Sequence, residues 1–257
     1  MAISLTNKIV LITGASSGIG EACAQVFAEA GARLILAARR SDRLETLAAS
    51  LKSEHGTDSF IIELDVRDRQ KVEQTIQALP QAWQAIEVLV NNAGLSRGLD
   101  KLYEGLIEDW EEMIDTNVKG LLYLTRTVVP GMVERNLGHV INIGSIAGHQ
   151  TYPNGNVYCG TKAAVRAITE GLKQDLLGTP IRVSAVDPGL VETEFSDVRF
   201  HGDTERAKGV YATTVPLQAI DIAEVVLFCA TRPAHVNLSE ALVLPTAQSG
   251  ATLVHRT

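Results

Sequence analysis

Six short runs of this chain are apolar at nearly every position: "KIVLIT" (Lys8 to Thr13), "RLILAA" (Arg33 to Ala38), "SFIIEL" (Ser59 to Leu64), "EVLVNN" (Glu87 to Asn92), "HVINIG" (His139 to Gly144) and "IRVSAV" (Ile181 to Val186). A strand with one wet face alternates apolar and polar residues, so continuous runs of this length predict a parallel sheet covered on both faces. Between them lie segments with helical spacing and Gly or Pro punctuation, such as "GEACAQVFAEAGA", whose helical pattern stops at Gly31. Strand and helix in succession predict an α/β fold, a single doubly wound parallel-sheet domain with helices on both faces. No repeat, low-complexity tract or linker interrupts it, so one domain is expected over residues 1–257. The rhythm breaks at "FSDVRFHGDTERAKGVY" (Phe195 to Tyr211), which is charged and carries two glycines. An irregular loop, serving as a lid over a ligand site at about residues 195–211, is expected there.

Composition narrows the classes. The chain has 257 residues, 46% hydrophobic and 21% charged, as a soluble protein with a sizeable core requires. Its net charge of -7, with no basic stripe, argues against nucleic acid as a partner. Apolar runs such as "IAEVVLFCA" fall far short of the ~20 residues a membrane span needs. The start "MAISLTNKIVLITG" has no basic region followed by a long apolar stretch. A cytoplasmic protein with no membrane partner is the expectation. Cys23, Cys159 and Cys229 are scattered without metal or redox spacing. They are expected to be reduced packing residues, with no metal bound.

"TGASSGIG" follows the first strand and opens the first helix. Gly14, Gly18 and Gly20 let the backbone turn tightly, and with Ser16, Ser17 and Ile19 they present helix-start N–H groups to a pyrophosphate. The strand-turn-helix setting makes this the dinucleotide loop of a Rossmann domain. The same letters contain G-x-S-x-G, the nucleophile elbow of serine hydrolases, but almost no chain precedes Gly14 to supply that fold's earlier strands. At the end of the second strand stand Ala37, Ala38, Arg39 and Arg40, with no acid for a ribose 2′-hydroxyl. A guanidinium forks onto a phosphate that an acid would repel, so the pair predicts a 2′-phosphate and hence NADP, with Arg39 the principal contact.

"YCGTK" places Tyr158 and Lys162 four residues apart, on one face of a helix. An ordinary phenol titrates at about 10. An ammonium about 4 Å away, at an effective dielectric near 20, contributes about 4 kcal/mol, enough to bring a phenolate near neutrality. The spacing therefore predicts a charge beneath the phenol.

Together these pieces resemble the short-chain dehydrogenase/reductase family. "TGASSGIG" is similar to its cofactor loop, "NNAG" (Asn91 to Gly94) to its fourth-strand signature and "YCGTK" to its catalytic Tyr-x-x-x-Lys. Asn117 in "DTNVKG", Ser145 in "NIGSIAG" and "DPGLVETEF" (Asp187 to Phe195) follow in the family's order, so the resemblance covers essentially the whole chain. It implies an enzyme, with Tyr158 as acid/base, Lys162 as its electrostatic partner and ribose ligand, Ser145 orienting the substrate oxygen and Asn117 in a proton relay. It implies cofactor contacts from Asp65, Val66, Asn92, Ala93, Gly94, Pro188, Gly189, Val191 and Thr193, and it implies a homotetramer. Within the family, "FSDVRFHGD" and the tail are similar to bacterial NADP-dependent 3-hydroxy acid dehydrogenases, and sulfoacetaldehyde reductases share much of that pattern. A general carbonyl reductase and a non-catalytic dinucleotide-binding regulator are the other readings. An acid substrate needs a cation that Lys162 is not free to be, and Arg199 in the expected lid is the candidate.

Overall fold

The computed structural model describes residues 3–256. The six apolar runs form β1 (Ile9–Thr13), β2 (Arg33–Ala38), β3 (Ser59–Glu63), β4 (Ile86–Asn91), β5 (His139–Ile143) and β6 (Arg182–Pro188). The helices between them are α1 (Gly18–Glu29), α2 (Ser41–His55), α3 (Arg69–Gln77), α4 (Ile107–Ile114), α5 (Leu121–Glu134) and α6 (Asn156–Asp175). Beyond β6 come β7 (Val191–Glu192), α7 (Phe195–Arg199), α8 (Thr204–Tyr211), β8 (Leu217–Gln218), α9 (Ala219–Thr231) and β9 (Glu240–Val243). The main sheet is parallel and seven-stranded, in the order β3-β2-β1-β4-β5-β6-β9, while β7 and β8 make a separate short ribbon.

Two apolar layers explain the continuous runs. In β1, Val10 and Ile12 face Phe27 of α1, Leu44 of α2 and Val226 of α9, whereas Ile9 and Leu11 face Val72 of α3 and Leu124 of α5. Every position is buried because each face has its own helical cover. One polar chain crosses this interior. Asn91 and Asn142 are register partners on β4 and β5, and the Asn91 amide donates to Asn142 Oδ1 at 2.9 Å and to Thr125 Oγ1 at 3.1 Å. Asn142 in turn donates to Thr169 of α6 at 2.8 Å.

Two features correct the sequence reading. Phe195 to Tyr211 is not irregular but forms two short helices; Asp203 caps the second by accepting from Arg206 N, and Gly202 (φ 89°) makes the turn between them. The seventh strand, β9, is a half-exposed edge of four residues that the sequence reading did not count among the strands. Among the described residues no helix is long and apolar enough to cross a membrane.

Candidate active site

The chain builds β1 to β3 in one direction along the sheet and then crosses back to place β4 beside β1. Ligands of doubly wound sheets bind where the order reverses, at the carboxyl ends of the strands. A cleft of about 410 Å³ opens there, over the ends of β1, β4, β5 and β6. It is lined by Gly14, Ser16, Ser17, Gly18, Ile19, Arg39, Arg40, Asp65, Val66, Asn92, Ala93, Gly94, Ser145, Tyr158, Lys162, Pro188, Gly189, Val191, Thr193 and Arg199.

Gly20 and Asn117, also expected at the site, do not line it. A Cβ on Gly20 would stand 2.3 Å from the Gly14 carbonyl oxygen and 2.5 Å from Asn92 Nδ2, so this glycine lets α1 pack against the loop. Asn117 lies buried in a π-helical turn (Asp115–Gly120) between α4 and α5. Its side chain accepts from Leu95 N, and donates to Leu95 O at 2.8 Å and Thr161 Oγ1 at 3.0 Å. It braces the loop after β4 against the helix that carries Tyr158.

The glycine loop fits an anion. Gly14 and Gly18 have φ of 65° and 56°, which L side chains rarely adopt. No side chain caps the first turn of α1, so its N–H groups lack that partner. Asn92 ties the loop to β4 by donating to Thr13 O at 2.9 Å. Arg40, rather than Arg39, is drawn onto the loop: its Nη2 donates to Ser17 Oγ at 2.7 Å and its Nε to Ser16 Oγ at 3.2 Å. Arg39 stands more exposed, 4.0 Å from Glu112. Ser16 thus accepts from an arginine, and no histidine reaches it among the described residues, which removes the hydrolase reading. The Glu194 carboxylate bridges Arg40 and Arg43 at 3.0 and 2.7 Å, an acid held by the cations that would meet a phosphate. Burial pushes the Asp65 carboxyl up, but Arg67 overrides this and holds it below the usual carboxylate range.

Tyr158 sits in the first turn of α6, almost wholly buried, with Phe195 packed edge-on at 5.6 Å between ring centroids. Burial pushes its phenol well above the ordinary value and Tyr152 adds to this, while Arg199 and the Ser145 hydroxyl pull the other way without prevailing. The charge expected beneath the phenol lies over its ring and is hydrogen-bonded elsewhere. Lys162 Nζ lies 5.9 Å from the Tyr158 ring centroid and donates to the Ile143 carbonyl at 2.9 Å, because a buried ammonium takes the nearest strand-end oxygen. Burial pushes that ammonium down to about 8, opposed by the Asp187 carboxylate. Asp187 itself accepts from His149 at 2.8 Å. Ser145 Oγ accepts from Ala147 N at 3.1 Å, which fixes it at the end of β5.

A second cation beside the Tyr158 ring is Arg199. Its guanidinium carbon stands 5.3 Å from the Tyr158 centroid, 5.2 Å from Phe195 and 6.0 Å from Tyr152. Nη2 donates to the Tyr152 hydroxyl at 3.0 Å, whereas Nε is buried without a partner. Among the described residues no carboxylate lies within ion-pair distance of it. Tyr152, Val198, Tyr211 and Gln248 also line this end, and the sequence reading missed them. Only the place of Tyr152, six residues before Tyr158, was a signal.

A doubly wound sheet with a glycine loop after β1 and a Ser145, Tyr158 and Lys162 cluster at its carboxyl edge defines a nucleotide-dependent oxidoreductase of the short-chain type. The short chain dehydrogenase family model matches residues 8–203, and the chain belongs to that family. The NADP-dependent 3-hydroxy acid dehydrogenase of Salmonella typhi is 51% identical over 250 residues, covering 96% of this chain and 99% of its own. The enzyme of that description from Schizosaccharomyces pombe is 46% identical, covering 98% of each chain. Among solved structures, the closed form of serine dehydrogenase complexed with NADP+ superposes with a TM-score of 0.90 at 49% identity, covering 97% of this chain and all of that one.

Proposed function

We propose that the protein is an NADP-dependent oxidoreductase interconverting a small 3-hydroxy acid and its ketone or semialdehyde. The observation that carries this reading is Arg199, a half-buried guanidinium beside the phenol whose Nε is buried without a partner and which, among the described residues, pairs with no acid. A buried charge without a counterion is costly, and a carboxylate on the substrate supplies one in a geometry a guanidinium fork matches. The names of the similar dehydrogenases agree with it.

The residues divide the work. The uncapped start of α1 and the loop from Gly14 to Gly20 hold the cofactor's pyrophosphate, Arg40 and Arg39 its 2′-phosphate, and Asp65 and Val66 its adenine side. Asn92, Ala93 and Gly94 line its middle, and Pro188, Gly189, Val191 and Thr193 its nicotinamide end. When bound, the nicotinamide supplies what side chains lack, a carbon that accepts a hydride from the alcohol or returns one to the carbonyl. Tyr158 takes the hydroxyl proton in one direction and gives it back in the other. In the free chain its phenol is held protonated, which suits the donating role. Ser145 holds the reacting oxygen, Lys162 a ribose hydroxyl, and Asn117 keeps Leu95 and Thr161 in place around them. α7 and α8 act as the lid, with Arg199 on its inner face.

A homotetramer and a cytoplasmic location complete the proposal. Exposed apolar side chains on α4 and α5 (Ile107, Ile114, Leu122) support association, and three buried free cysteines suit a reducing compartment.

The test is a panel of 3-hydroxy acids, hydroxysulfonates and uncharged alcohols, each with NADP and NAD, on the native chain and on Arg199→Met. Acid turnover with NADP that falls about thirtyfold in the variant, or about 2 kcal/mol, while alcohol turnover holds, is the expected result. Equal losses on acid and alcohol refute the anchor, and a preference for sulfonates moves the reading to a sulfoacetaldehyde reductase.

A further inference from the structure

The lid is pinned from outside by a side chain in none of the motifs above. Arg97 lies in the loop after β4, with 18% of its side chain exposed. Its Nη1 donates to the Val198 carbonyl, and the neighbouring Gly98 N–H donates to the Arg199 carbonyl at 2.9 Å. At the C-terminal end of the five-residue α7, Ser196 O accepts from Phe200 N at 3.2 Å and Asp197 O from Gly202 N at 2.8 Å, which leaves Val198 and Arg199 as the carbonyls with weak or no local donors. His201 N supplies one weak bond to Val198 O at 3.3 Å. A cation on those carbonyls also complements the negative end of the helix.

The other side of the Arg97 guanidinium meets Glu112 of α4, with Nε donating to Oε2 at 2.6 Å. Glu112 is shared: Arg67 donates to its other oxygen at 3.2 Å, and Arg67 Nη2 donates to Asp65 at 2.6 Å. Arg97, through its hydrogen bond, and then Arg67 and Arg39 hold the Glu112 carboxyl below the usual range. The line Asp65, Arg67, Glu112, Arg97, Val198 runs from the adenine side of the cleft to the helix that carries Arg199. Only a fork-shaped cation holds the acid and the carbonyl at once; a lysine ammonium is a point charge on a flexible stem.

We propose that Arg97 is a positioning residue, which caps α7 from the body of the protein and thereby fixes Arg199 over the substrate. The assignment of Arg199 as substrate anchor rests on the function proposed above; the clamp on α7 does not.

The experiment uses the full chain with Arg97→Met, Arg97→Lys and Arg199→Met in parallel. The first measurement is the rate of tryptic cleavage after Arg206 and Lys208 in α8, with and without NADPH, under conditions where only opened chain is cut. Arg97→Met is expected to be nicked about tenfold faster with an unchanged circular dichroism spectrum, and Arg97→Lys to lie between it and the native chain. The second is steady-state kinetics. For Arg97→Met the KM of a 3-hydroxy acid is expected to rise about tenfold, part of the hundredfold that a 1 Å misplacement can cost. Its kcat, the KM for NADP and the turnover of an uncharged alcohol are expected to stay near native values. A folded Arg97→Met with native acid KM overturns the positioning role, and native nicking overturns the clamp as well. If Arg199→Met itself fails to discriminate acid from alcohol, the proposed function falls, and the nicking arm alone decides whether Arg97 holds α7.

Discussion

Beneath the cleft, β1 and β5 are buried at every position, as is β6 through Pro188, and each apolar side chain packs against a helix on its own face. Above the cleft, α8 buries only Ala207 and α7 only Ser196. The floor is therefore held by close packing, where any added atom is felt. Beyond the packing of Phe195 and Val198 against the Tyr158 cluster, the cover is held by polar bonds: Arg97 to Val198 O, Gly98 N to Arg199 O, Tyr211 to Ser196 and Val191, and Glu194 to Arg40 and Arg43. Bonds of that kind are individually modest and open locally at low cost. A cover built this way can change its lining without disturbing the reacting groups below.

The sharpest way to break the contrast is one substitution made on the floor. Gly20→Ala drives a Cβ to within 2.3 Å of the Gly14 carbonyl oxygen, a backbone atom that cannot swing aside. The expected cost is about 3 kcal/mol in denaturant unfolding, the upper end for overpacking. A near-native midpoint means the floor yields more than its packing implies.

Lys162 sharpens the contrast through pH. Its ammonium ordinarily titrates at 10.5 and is pushed down to about 8 in the fold. The unfolded chain thus binds the extra proton between those values. The cost of burying the charge is full below pH 8 and fades as pH rises toward 10.5. Lys162→Met should stabilise the chain most at pH 7, and the gain should narrow by roughly 2 kcal/mol by pH 10. Urea titrations of both proteins at the two pH values decide it, and a gain that widens with pH contradicts the burial of a charged amine.

At the rim, Arg40→Gln should raise the KM for NADP about tenfold and leave that for NAD nearly unchanged, since a charge-assisted bond is lost only with the phosphate. Arg39→Gln, whose side chain stands off the loop, should do less. Equal effects would mean that the two cations share the phosphate. On the cover, Gly209→Ala in α8 meets no atom within 4 Å, so it should stabilise by about 0.5–1 kcal/mol or leave stability unchanged. A loss there would show that the cover is packed like the floor.

The same division explains what the sequence disclosed. The inner strands β1, β2, β4, β5 and β6 were legible because burial on both faces leaves an unbroken apolar signature, whereas the edge strand β9 is four residues long with two of them exposed. The glycine loop was legible because backbone conformation there leaves glycines as its trace. The helices of the cover were hidden by Gly202, Gly209 and a run of charges, although Asp203 at an N-cap was a readable start. Spacing put Tyr158 and Lys162 on one helical face but could not show that the Ile143 carbonyl claims the ammonium. Nor could it show Arg97, whose partners Glu112 and Val198 lie 15 and 101 residues along the chain. Contacts made by long side chains across loops leave no period to read.

The paired amides of Asn91 and Asn142 bear on how this chain can drift. Replacing either one by an apolar residue leaves the facing amide group of the other unsatisfied between two dry layers and takes the donor from the threonine that the lost amide bonded. Only replacing both amides together with Thr125 and Thr169 removes the whole polar chain at once and is far less damaging. Single steps away from this pair run through a valley of unstable intermediates, so descendants of the chain are confined to its present side even where the far side would serve as well.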